Sequence, residues 1–386
     1  MTTPFARGMA RATELTRAGK LDEATALIQS LLQGQTAAEA APADDDVIEG
    51  DFVTIENAGG AQPPPADKAT KSKSAKGLRE KLRGMASGNF TGPQLRPVVE
   101  PELPHGAQFL SLTHRGAQGS RDYRLYIPAK QAAEPMPLVV MLHGCTQSPE
   151  DFAIGTGMNA LAEEFGCLIA YPAQTQAANA QKCWNWFRPE DQRRDRGEPA
   201  LIAGIVRDIL RDQPADRTRV YVAGLSAGGA AAAILGAAYP DIFAAVGVHS
   251  GLPVGSANDM PSAFAAMRGG STGVASSSPV PTIVFHGLAD STVHPGNGAA
   301  VVAQVARREL RQQQTTGRAG SGRSYRRTDH RDAEGRNIVE HWEIEGAGHA
   351  WAGGHTGGSF TDPSGPDASR EMLRFFLQHR KAGGAG

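Results

Sequence analysis

From about residue 105 the chain carries apolar runs of similar texture: LVVMLHG (138–144), LIAYPA (168–173), VYVAG (220–224), AVGVHSG (245–251) and PTIVFHG (281–287). None alternates with polar positions, as expected of strands covered on both faces. DYRLYIP (122–128) does alternate, which predicts a strand with one exposed face. Helix-like stretches separate these runs, and SREMLRFFLQH (369–379) reads as an amphipathic closing helix. Strands alternating with helices predict an α/β domain over 105–380, with a mostly parallel central sheet, flanking helices and right-handed crossovers.

The first third has a different pattern. Phe5, Met9, Ala12 and Leu15 recur at helical spacing, as do Leu21, Ala24, Leu27, Ile28 and Leu31 after the turn at Gly19, which predicts a helical hairpin over 1–35. A lone hairpin cannot bury its apolar face, so it is expected to dock on the α/β domain, on a partner or on itself in a dimer. Residues 36–104 pass from an acidic, Ala-rich stretch to one rich in Pro, Ser and Lys, which predicts a disordered, low-complexity linker. The basic stretch RRELRQQQTTGRAGSGRSYRRTDHRD (307–332) reads as a solvated loop.

Composition narrows the possible functions. The 386 residues are 40% hydrophobic and 20% charged with a formal net charge of −1, so no global charge draws the chain to nucleic acid or acidic lipid. No run reaches the roughly 18 apolar residues of a membrane span. The first twenty residues lack the apolar core of a secretory signal, so a cytoplasmic location is expected. The three cysteines, Cys145, Cys167 and Cys183, are too few for a disulfide framework.

The strand-like VYVAG runs into Ser226 and then an Ala-rich helical stretch, giving G-x-S-x-G over Gly224–Gly228. Between a strand and a helix this is a nucleophile elbow, and Ser226 is the candidate nucleophile. Such a serine needs a base to take its proton and a carboxylate to orient that base, in the chain order Ser, Asp/Glu, His. Asp290 follows the run PTIVFHG, and His349 lies in a Gly-rich loop after EHWEIE, so both are expected on the edge of the sheet that carries the elbow. A developing oxyanion needs preorganised N–H donors. The backbone of Ala227 and of Cys145, in LHGCTQ, are the candidates. Trp184 and Trp186 in KCWNWF, with Trp351 beside His349, are candidate apolar contacts for an acyl group.

Alternatives to these assignments have weaker local context. Ser271 in GGSTG has no strand before it and no helix after it. His249 and His286 end strand-like runs as packing residues do, His294 reads as loop surface, and no strand delivers Asp259. His143 with Cys145, Cys167 and Cys183 matches no zinc spacing, so no metal site is expected.

Together, MLHGCTQSPEDF, CWNWF, VYVAGLSAGGAAA, FHGLADSTVHPGNG and GAGHAWAGG resemble the polyhydroxybutyrate depolymerase family of esterases, α/β-hydrolases related to feruloyl and acetylxylan esterases. The resemblance covers roughly 105–380. It implies the triad Ser226, Asp290 and His349, an oxyanion donor at Cys145, and hydrolysis of short-chain hydroxyalkanoate polyesters or their oligomers through an acyl-enzyme, with no metal or cofactor. Feruloyl or acetylxylan esters are the alternative substrates. It also raises a Cys145–Cys183 pairing, against the expectation of reduced thiols in a cytoplasm, and an extracellular alternative, as in the secreted members of the family. A family-type signal and C-terminal polymer-binding domain are not seen, so soluble oligomers are expected over crystalline polymer.

Overall fold

The computed structural model describes residues 99–130, 134–270, 280–306, 310–320 and 322–381. The hairpin expected over 1–35, nearly all of the linker expected over 36–104, and Ser271 lie outside them.

The strands of the main sheet are β1 (Gln108–Gly116), β2 (Gly119–Ile127), β3 (Met136–Leu142), β4 (Leu168–Pro172), β5 (Ala215–Leu225), β6 (Ala245–His249), β7 (Thr282–Gly287), β8 (Arg311–Arg318), β9 (Ser324–Arg331) and β10 (Asn337–Ile344). They form one ten-stranded sheet in the order β1-β2-β4-β3-β5-β6-β7-β10-β9-β8. From β4 through β3, β5, β6 and β7 to β10 every neighbouring pair is parallel. Antiparallel strands β1 and β2 finish one edge, and β9 and β8 the other. This is an α/β-hydrolase fold, as the sequence pattern predicts.

The unbroken apolar runs have the burial expected of them. Leu138, Val140 and Leu142 of β3 enter one core, while Val139 and Met141 enter the other. Successive side chains of a strand point to opposite faces, so a strand covered twice must be apolar at every position. Helices α1 (Pro149–Thr156) and α2 (Met158–Phe165), with the C-terminal α7 (Ala368–Phe376), cover one face. Helices α3 (Gly197–Asp212), α4 (Ala227–Ala238), α5 (Met260–Gly269) and α6 (Gly296–Val305) contribute to the core on the other. The amphipathic face of α7 places Phe376 in a parallel stack on Tyr221, with ring centroids 5.0 Å apart.

The basic stretch 307–332 departs from its reading as a loop, because most of it forms β8 and β9. Every residue of β8 except Gly317 is exposed, so the strand has no apolar alternation to read. Four arginines of the basic stretch are paired: Arg326 with Glu343, Arg327 and Arg331 with Asp329, and Arg323 with Asp362. Among the described residues, no helix is long and apolar enough to cross a membrane.

Candidate active site

Ser226 stands between β5 and α4 with φ 59° and ψ −118°, a conformation a non-glycine residue adopts only where its surroundings impose it. The flanking glycines show what imposes it. A Cβ on Gly224 would lie 2.3 Å from the backbone of Gly228, and one on Gly228 would lie 2.0 Å from the Leu142 carbonyl oxygen. The turn closes that tightly against β3, leaving Ser226 partly exposed at its crest. The Ser226 amide donates to the His249 carbonyl at 2.9 Å, tying the elbow to the end of β6.

Asp290 follows β7 and His349 follows β10, both on the edge where β5 ends. His349 Nδ1 donates to Asp290 Oδ2 at 2.7 Å, and the amides of Thr292 and Val293 each donate to Oδ1 at 2.9 Å. His286 Nε2 lies 3.5 Å from the same Oδ2 and donates to the Val293 carbonyl at 2.9 Å. Burial alone would raise the Asp290 carboxyl. The His286 and His349 rings and the Val293 amide outweigh it and hold the group well below the usual carboxylate range. Asp290 is therefore ionised, and His349 carries its proton on Nδ1 with the Nε2 lone pair free to act as a base.

The loop after β3 supplies the Cys145 amide, which makes no hydrogen bond among the described residues. The Ala227 amide, first in α4, has no intrahelical acceptor. Around Cys145 the backbone is held by side chains. Gly144 N donates to Gln147 Oε1 at 2.8 Å, and Gln147 Nε2 donates to Asp151 Oδ2 at 2.9 Å and to the Ser359 carbonyl at 3.1 Å. Cys145 is disulfide-bonded to Cys183, which fastens this loop to the tryptophan segment. On the far side Glu198 accepts from Asn185 N and Nδ2, both at 2.7 Å, and from Gln174 Nε2. Sequence reasoning passed over Glu198 and the side-chain role of Gln147, because polar residues in connecting segments carry no periodic signal.

The tryptophans do not form the apolar wall expected of them. Trp184 is 0% exposed, donates from Nε1 to the His143 carbonyl at 3.0 Å and packs on that ring. Trp351 is 1% exposed, donates to Ser369 Oγ at 3.0 Å and meets Phe152 edge-on. Trp186 is 7% exposed and packs edge-on to Phe187. The disulfide and Glu198 draw the segment inward, so its aromatic residues support the site from behind.

The remaining candidates have local roles. Asp259 caps α5, accepting from Ser262 N at 2.8 Å. His294 is exposed and accepts from Gly296 N at 3.1 Å. His143 is buried, donating from Nδ1 to the Gly144 carbonyl and accepting from Gln174 N at Nε2; burial pushes its pKa down to about 4. Cys167 is a buried free thiol, pushed up to about 12 by burial.

The family model "Esterase PHB depolymerase" matches residues 121–327 of this chain. The chain belongs to that family. It is 34% identical over 240 residues to poly(3-hydroxyalkanoate) depolymerase C of Paucimonas lemoignei, covering 58% of this chain and 57% of the relative. To poly(3-hydroxybutyrate) depolymerase of Ralstonia pickettii it is 31% identical over 262 residues, covering 61% and 53%. Feruloyl esterase B of Thermothelomyces thermophilus is 33% identical over 134 residues, 34% of this chain and 45% of that one. The chain thus spans a little over half the length of the two depolymerases. The solved acetyl xylan esterase from Aspergillus awamori shares the fold, with a TM-score of 0.56 at 19% identity, covering 70% of this chain and 99% of that one.

Proposed function

We propose that this protein is a serine carboxylic ester hydrolase, with Ser226 as nucleophile, His349 as general base and Asp290 as the carboxylate that orients it. The His349–Asp290 hydrogen bond, on the sheet edge that bears a strained serine elbow, carries this reading. Ser226 Oγ attacks the ester carbonyl carbon as its proton passes to His349 Nε2. The resulting oxyanion is held by the amides of Cys145 and Ala227. The tetrahedral intermediate collapses, the alcohol leaves with the proton from His349, and an acyl-Ser226 ester remains. Water, deprotonated by His349, then releases the carboxylic acid and restores Ser226.

The substrates we propose are short-chain hydroxyalkanoate polyesters or their oligomers, a reading supported by the two depolymerases among the relatives. Similarity to feruloyl esterase B supports small plant-derived esters as the second reading. Turnover of 3-hydroxybutyrate oligomers against methyl ferulate tests the choice: faster hydrolysis of the ferulate would reverse it. The Cys145–Cys183 bond favours an oxidising compartment, and so the extracellular alternative over a cytoplasmic location.

A further inference from the structure

His249 is the last residue of β6, paired with Leu225 of β5 on one side and Phe285 of β7 on the other. Its side chain is 0% exposed. The ring lies parallel to Phe285, with centroids 5.8 Å apart, and stacks on Trp351 at 5.0 Å. A buried imidazole must satisfy two different nitrogens. Nε2 lies 3.0 Å from the Ala352 amide, which can only donate, so Nε2 is the acceptor and Nδ1 carries the proton, 3.1 Å from Ser250 Oγ. Burial, with the His286 and His349 rings nearby, pushes the ring's pKa down to about 3 and keeps this acceptor neutral.

The three parts of the site are held in register by different ties. Asp290 and His349 come from loops joined backbone to backbone, for Ala289 N donates to the Ala347 carbonyl at 2.9 Å. A matching tie between the elbow and the His349 loop runs through His249. Its carbonyl accepts the Ser226 amide at 2.9 Å, and its ring accepts the amide of Ala352, three residues beyond His349. We propose that His249 is a positioning residue, whose ring sets the His349 loop against the nucleophile carried by its own main chain. The inference rests on the proposed triad. It assigns to His249 a role in turnover, beyond filling the core.

Three substitutions separate that role from packing. His249→Phe keeps an aromatic ring in the stack but has no acceptor. His249→Asn ends short of Ala352, and His249→Gln extends an amide oxygen to about the reach of Nε2. On p-nitrophenyl butyrate, with folding checked by circular dichroism, the Phe and Asn variants should lose about 10- to 100-fold in kcat while KM stays within about twofold. The Gln variant should recover most of that loss. Wild-type kcat in a folded Phe or Asn variant overturns the proposal, as does a Gln variant as impaired as the other two. If His249→Phe does not fold, the Asn and Gln variants decide by the same criteria. Ser226→Ala is assayed alongside: activity there would overturn the triad itself, whatever the His249 variants do.

Discussion

Asp290 Oδ2 and His349 Nδ1 stand 2.7 Å apart although 59 residues separate them along the chain. The carboxylate cannot turn away, because the amides of Thr292 and Val293 hold its other oxygen. The bond fixes the tautomer of His349 and leaves Nε2 available for the base role proposed for it.

Asp290→Asn tests this bond and its pH dependence together. The folded carboxyl is depressed below its unfolded value of about 3.9. Its stabilisation is therefore fully present above that value and lost as pH falls through the lower folded value. Urea unfolding should show a larger penalty for the Asn variant at pH 6 than at pH 3, and kcat near neutrality should fall about 10³- to 10⁴-fold. Equal penalties at the two pH values would show that the carboxyl is not held in this way.

Ser226→Ala should lower kcat by about 10⁴-fold or more, since members of a triad act as a unit. Its effect on stability should stay within about 1 kcal/mol, because the hydroxyl sits at the crest of the turn and fills no core. Calorimetry and ester turnover on the same preparation check both. Near wild-type rates in Ser226→Ala, with loss in Ser271→Ala, would move the nucleophile to residue 271.

Thiol titration of the unfolded, unreduced protein should find one free thiol, Cys167, and reduction should raise the number to three. Breaking the Cys145–Cys183 bond, which spans 38 residues, should cost about 2–4 kcal/mol in denaturant melts. Cys145→Ser should retain appreciable turnover, because its proposed oxyanion donor is the backbone amide. A folded Cys145→Ser variant with no turnover would assign the side chain a direct part.

A protein beginning at residue 99 should hydrolyse a small soluble ester at close to the full-length rate, since the proposed catalytic groups lie between Cys145 and His349. That start keeps Glu100, which pairs with Arg124 at 2.7 Å. A folded but inactive truncation would show that the N-terminal region completes the site. Light scattering of the two proteins tests whether residues 1–35 drive self-association.

Local chemistry along the chain determined the apolar parallel strands, the elbow and the chain order of the proposed triad. An unbroken apolar strand, a serine between obligatory glycines, and an acid and a histidine after strand ends are all consequences of neighbours in sequence. Tertiary structure decided what depends on residues far apart. Polar β9 is a strand because β10 offers an edge to pair with, and β8 because β9 offers the next, which leaves no hydrophobic period to read. Trp184 and Trp351 face inward because their indole N–H groups find acceptors at His143 and Ser369. His249 ties the Ser226 elbow to the His349 loop because β6 lies between β5 and β7, so its main chain meets Ser226 while its ring meets Ala352. Such long-range pairings follow from strand order, and no stretch of sequence records them locally.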